Sequence, residues 1–172
     1  MRSVCPERIL ASMTRRVAIL AAALVVMLAA GVALIPGCGL DVVHAVLVSQ
    51  HPRVRWISTE ELARELESES PPLVIDVRSD DEIAVSTIPG AQSMRELPTD
   101  RDVVVYCSVG ARSAVVAERF PNARNLRGGI FAWANESRPL VRDGARTNEV
   151  HPYDSLWRML LSARVVRASG GS

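Results

Sequence analysis

The longest unbroken apolar stretch covers residues 17–35, and Arg2, Arg8, Arg15 and Arg16 precede it with Glu7 as the sole opposing charge. As a helix, these 19 residues would reach roughly 28 Å, enough to cross a bilayer. The basic flank predicts a cytoplasmic N-terminus and an exported C-terminal part. A core helix would not be apolar on every face. The expected arrangement is a basic cytoplasmic N-terminus at 1–16 and a single-pass signal anchor at 17–36, which puts the rest of the chain on the periplasmic or extracellular side of a cell membrane. A cleaved secretory signal and a lipoprotein signal ending at Cys38 are the alternatives. The run exceeds the usual signal core of about 7–15 residues, and Pro36 fits poorly before Gly37 and Cys38.

Beyond the anchor the pattern shortens. Residues 37–52 mix brief apolar runs with Gln50, His51 and Pro52 and read as a juxtamembrane connector. Residues 54–57 alternate like a short strand. Ser58 and Glu61 then have the spacing of a capping box, which starts a helix to about Glu67. Residues 68–72 carry turn chemistry, and 73–77 form a compact apolar run of the kind buried in a parallel sheet. A second such run, 103–106, delivers Cys107 into a short loop closed by Arg112, and 113–120 reads as the next helix. Gly128 and Gly129 read as a backbone turn before a short helix at 130–134, where Phe131 and Trp133 are expected in the core. Tyr153, Leu156, Trp157, Leu160 and Leu161 follow helical spacing, predicting a final helix before a frayed end at 168–172. Strands alternating with helices predict an open, parallel α/β sheet whose site lies in loops at the carboxyl ends of the strands.

Cys107 stands at such a strand end, and its surroundings suit a thiolate. Backbone N–H groups at a helix start and a nearby guanidinium both stabilise negative charge. Gly110 admits a backbone conformation that a side chain would hinder. The amides of Ser108, Val109, Gly110, Ala111, Arg112 and Ser113 would bind the negative sulfur. Arg112 would offer a fixed fork to an oxyanion or, on the plainer reading, would only close the loop through backbone carbonyls. Cys107 itself could be a small buried hydrophobe. Asp76 and Arg78, at the other strand end, are read as a supporting ion pair rather than as catalysts.

Composition narrows the chemistry further. With 172 residues and a formal charge of +1, one globular domain is expected, and nucleic acid is not an expected partner. All 20 basic residues are arginine, which excludes a lysine nucleophile. Cys5, Cys38 and Cys107 lack the paired spacings of zinc sites, and His44, His51 and His151 are scattered, so neither metal nor cofactor is expected.

Four motifs, Asp76-Val77-Arg78, Ile88-Pro89-Gly90-Ala91, the Cys107-to-Arg112 loop and the Asn125-to-Trp133 segment, resemble the rhodanese (sulfurtransferase) family in order and spacing. The resemblance implies a rhodanese-like α/β domain with an open parallel sheet and flanking helices over 53–142, followed by a C-terminal helix and tail over 143–172. It further implies that Cys107 accepts a sulfane sulfur from a small donor, thiosulfate or a persulfide, and passes it to cyanide, a thiol or a protein cysteine. Phosphatases of similar fold carry one more residue between cysteine and arginine, which disfavours phosphate transfer. Ser108 stands where thiosulfate-using members often carry arginine, so thiosulfate is expected to be a poor donor. The residues 92–102 are short enough to have lost a helix. The competing function is a catalytically weak rhodanese-like module that binds a partner or uses Cys107 as a redox sensor.

Overall fold

A computed structural model describes residues 38–93, 97–162 and 165–167. The expected N-terminus and anchor, 1–36, lie outside these. Among the described residues no helix is long and apolar enough to cross a membrane.

Helix α1 (Cys38–Gln50) leads into strand β1 (Arg55–Ile57), helix α2 (Thr59–Leu66) and strand β2 (Leu73–Asp76). Then come α3 (Asp80–Val85), β3 (Val103–Tyr106), α4 (Ala111–Ala117), β4 (Ala123–Leu126) and α5 (Gly129–Asn135). Strands β1, β4, β3 and β2 lie in that order in one parallel sheet. The remainder consists of a β5 (Leu140–Arg142) and β6 (Ala145–Thr147) hairpin, β7 (Glu149–Val150), a 3-10 turn (Trp157–Leu160), and β8 (Val166–Arg167), which pairs with β7.

Strand β3 is central and all four of its residues are buried, which explains an apolar run without polar alternation. Its side chains divide between two layers. Val104 and Tyr106 join Val74, Leu126 and the apolar residues of α2 and α5 on one face. Val103 and Val105 join Ile75, Ala117 and Ala123 on the other. The Ser58–Glu61 capping box forms as expected, Ser58 Oγ accepting from the Glu61 N–H at 3.1 Å and Glu61 accepting from the Ser58 N–H at 2.9 Å.

Three elements differ from the sequence expectation. The segment read as a connector is the helix α1. Leu40 and Leu47 are buried and Val43 packs on the core, one stripe of a helix, but Val42, Val46 and Val48 on the exposed side hide that periodicity. Helix α4 begins at Ala111, two residues before the expected start, so Arg112 and Ser113 belong to its first turn. The expected C-terminal helix is a single 3-10 turn. Asp154 Oδ1 accepts the N–H groups of Leu156 and Trp157 at 2.8 and 2.9 Å, and Tyr153 takes a left-handed φ of 65°. Trp157, Leu160 and Leu161 then pack inward, while Leu156 and Met159 face solvent.

Candidate active site

The site forms where β3 ends. Its last residue, Tyr106, pairs with Asp76 of β2 and its carbonyl accepts the Val77 N–H at 3.0 Å, so the chain enters the next turn from a fixed support, and Cys107 is the first residue of that turn. Cys107 is 1% exposed, and its Sγ accepts the Gly110 N–H at 3.2 Å. Gly110 has φ 98°, a left-handed conformation that costs a side-chain-bearing residue about 1–2 kcal/mol. Asn125 on β4 fixes it by donating from Nδ2 to the Gly110 carbonyl at 2.8 Å.

The other side of the loop rests on α5. The N–H groups of Ile130 and Phe131 donate to the carbonyls of Cys107 and Ser108, both at 3.0 Å. Because a trans peptide points its N–H opposite to its C=O, this orientation turns the Ser108 and Val109 N–H groups away from α5. Gly129 makes the approach possible. A Cβ there would lie 2.2 Å from the Cys107 carbonyl oxygen.

The expected fork of Arg112 is engaged within the protein. Its Nη1 and Nη2 donate to the two Glu82 carboxylate oxygens at 2.7 and 2.8 Å, and Nη2 also donates to Ser108 Oγ at 2.9 Å. Ser108 Oγ in turn donates to Glu82 at 2.7 Å. Glu82 further accepts from the Ser79 N–H and hydroxyl. This carboxylate is the main residue that sequence reading missed, although Ser79 and Glu82 have capping-box spacing directly after the Asp76-Val77-Arg78 motif. Of the remaining loop residues, Val109 and Ser113 are buried and Ala111 is half-buried. Ser113 Oγ makes no hydrogen bond among the described residues.

Burial pushes the Glu82 carboxyl up, but hydrogen bonds from Arg112, Ser108 and the Ser79 backbone outweigh it and hold the group at about 2 instead of 4.5. Arg112 is correspondingly raised, first by Glu82 and, after the opposing effect of burial, by Cys107. The unfolded chain therefore binds the Glu82 proton before the folded one does. The network's contribution is fully present above pH 4.5 and lost as pH falls toward 2. At about 1.4 kcal/mol per pKa unit, it amounts to about 3 kcal/mol. Glu82→Gln should flatten the acid limb of a stability-against-pH curve from urea unfolding; an unchanged limb would refute the assignment.

Asp76 and Arg78 form a separate buried pair. Arg78 Nε and Nη2 reach the Asp76 oxygens at 2.9 and 2.7 Å, and Nη2 also bonds the Ser86 carbonyl at 2.5 Å. The guanidinium lies 5.7 Å from the Tyr106 ring centroid, and the Tyr106 hydroxyl accepts the Ile88 N–H at 3.2 Å. These contacts tie β2, the end of α3 and β3 together beneath the loop. They do not line the Cys107 cavity. Phe131 and Trp133 are core residues, as expected. Among the described residues no cluster of three or more His, Cys, Asp or Glu side chains is placed to hold a metal ion.

A cavity of about 130 Å³ opens at the sulfur, between the loop and the C-terminal tail. The arrangement is a buried thiol at a strand end, with an amide on the sulfur and an adjacent cation. A sulfurtransferase of Allochromatium vinosum is 38% identical over 102 residues, which cover 51% of this chain and 95% of that protein. The protein YtwF of Bacillus subtilis is 32% identical over 99 residues, covering 50% of this chain and 96% of its own length. Among solved structures, a rhodanese-like domain protein from Staphylococcus aureus is 29% identical with a TM-score of 0.47, covering 52% of this chain and 99% of that one. The family model described as the rhodanese-like domain matches residues 58–136, and with the Allochromatium relative matched over nearly its whole length, the chain belongs to the rhodanese-like family.

Proposed function

We propose that this protein is a sulfurtransferase that moves a sulfane sulfur through a Cys107 persulfide. The observation that carries the reading is the placement of Cys107 Sγ at the floor of a cavity, with the Gly110 N–H on it and the Arg112 guanidinium beside it. In the first step the thiolate attacks the outer sulfur of the donor. The new Sγ–S bond forms as the donor's own bond to that sulfur breaks, and its electron pair leaves on sulfite or on the carrier thiolate. In the second step cyanide or an acceptor thiolate attacks the outer sulfur of the persulfide and releases the Cys107 thiolate. Splitting the transfer this way avoids bringing donor and acceptor together. Preorganised amides stabilise the charge at each stage without reorganising. The Arg112–Glu82–Ser108 network holds the loop in shape and keeps a cation next to the sulfur.

The apolar stretch 17–35 would anchor this domain at a membrane, supported by its length and arginine flank. Kinetics of the full chain, extracted from membranes, test both parts. With glutathione persulfide as donor and cyanide as acceptor, thiocyanate formation should give parallel double-reciprocal lines, the pattern of a covalent intermediate. Intersecting lines would overturn the two-step reading, and recovery of the chain from the soluble fraction would count against the anchor.

A further inference from the structure

The wall of the cavity opposite the catalytic loop comes from the C-terminal tail, through Tyr153 and Trp157. This wall is fastened from both ends. On one side Val150 is fully buried and β7 pairs with β8. On the other, Asn135 of α5 holds the turn, donating to the Leu160 carbonyl at 2.8 Å and accepting the Ser162 N–H at 2.7 Å. Between these clamps the Tyr153 N–H donates to His151 Nδ1 at 3.1 Å, and the backbone bends through the left-handed φ at Tyr153. A side chain held at such a φ costs free energy that the surrounding structure must offset. The bend sets the Tyr153 ring over the Arg112 guanidinium, 4.8 Å from its Cζ.

The charge balance of the cavity follows from these contacts. Arg112 is the lone cation among the described residues lining it. Its charge is matched by Glu82, three of its N–H bonds are spent on Glu82 and Ser108, and one face is covered by the Tyr153 ring. A dianion brought here would meet Cys107 with no unpaired cation among the described lining residues to compensate. Apart from Cys107, Ser108 and Arg112, the lining consists of Val109, Ala111, the Tyr153 ring and Trp157. The volume of about 130 Å³ is close to the roughly 150 Å³ of an apolar cavity that accepts benzene.

Resting on the sulfurtransferase reading above, we infer that Tyr153 and Trp157 are specificity-determining residues that select a hydropersulfide on a small apolar carrier, R–S–SH, over thiosulfate. The apolar carrier packs between the two rings and Val109, and the outer sulfur meets Cys107. Attack forms the Sγ–S bond, the carrier's S–S bond breaks onto the carrier sulfur, and the proton of the hydropersulfide goes with it. The products are the thiol RSH and the Cys107 persulfide anion, with no external oxidant or reductant.

The test is kcat/KM of the full-length protein with benzyl hydropersulfide, glutathione persulfide and thiosulfate, cyanide being the acceptor throughout. Wild type should use benzyl hydropersulfide at least tenfold better than thiosulfate. Trp157→Ala should lower the ratio of benzyl to glutathione donor by about tenfold, the scale of lost apolar contact in a specificity pocket. Tyr153→Asn, which keeps a residue suited to the left-handed backbone, should lower the same ratio and also raise relative use of thiosulfate by uncovering Arg112. The ratio reads selectivity even where a variant is less stable. A preference for thiosulfate in the wild type, or ratios unchanged in both variants, would overturn this inference alone. Absence of turnover with all three donors would overturn the sulfurtransferase reading, and the inference with it.

Discussion

Cys107→Ser should abolish sulfur transfer, lowering kcat/KM by about 10⁴ or more, as loss of a covalent nucleophile does, while leaving the fold in place. Oxygen replaces sulfur in a position that is 1% exposed, and the Gly110 N–H that donates to Sγ keeps an acceptor. The urea midpoint should therefore correspond to a stability within about 1 kcal/mol of wild type, the scale on which a single satisfied polar substitution acts. Thiocyanate formation and urea unfolding, measured on the same preparation, separate the two effects. Transfer retained in the variant would remove Cys107 from the mechanism.

The second large effect is expected at Gly129. A Cβ there would lie 2.2 Å from the Cys107 carbonyl oxygen and 2.7 Å from that of Ser108. Neither oxygen can yield independently, because the two carbonyls accept the Ile130 and Phe131 N–H groups that define the loop. The residue also has φ 55°. Gly129→Ala combines left-handed strain of about 1–2 kcal/mol with two displaced hydrogen bonds of about 1 kcal/mol each, giving roughly 3 kcal/mol of destabilisation or more. Displacing the nucleophile by an ångström should in addition cost about 100-fold in kcat/KM. Gly144→Ala is the matched control. Its φ is 78° with nothing within 4 Å of the added carbon, so it should lose about 1–2 kcal/mol and keep its activity. Equal behaviour of the two variants would contradict the role assigned to the contact between α5 and the loop.

What the sequence made legible follows the range of the interactions involved. Strand β3 could be read because burial on both faces demands an uninterrupted apolar run, and the Ser58–Glu61 cap because both partners lie within one helical turn. The Cys107 loop could be read because strand, cysteine, glycine and arginine are contiguous. Glu82 escaped notice because its partners Arg112 and Ser108 are 30 and 26 residues away, and a carboxylate on a short helix carries no local mark of such a bond. The partners of the Arg112 fork escaped notice for the same reason, since only the fold shows that Glu82 and Ser108 engage it. Helix α1 was hidden by exposed valines that blur the stripe of Leu40, Val43 and Leu47. The C-terminal segment misled because an apolar stripe at helical spacing describes which residues pack inward, whereas the Asp154 carboxylate and the bend at Tyr153 decide the backbone. That last difference bears on function, for the bend builds the second wall of the cavity.

Intact mass spectrometry of the full-length protein, incubated with benzyl hydropersulfide and separately with thiosulfate, tests the persulfide most directly. The account predicts a gain of one sulfur atom per chain, reversed by cyanide, absent from Cys107→Ser and larger with the hydropersulfide. No cyanide-labile gain with either donor, or an equal gain in Cys107→Ser, would contradict it.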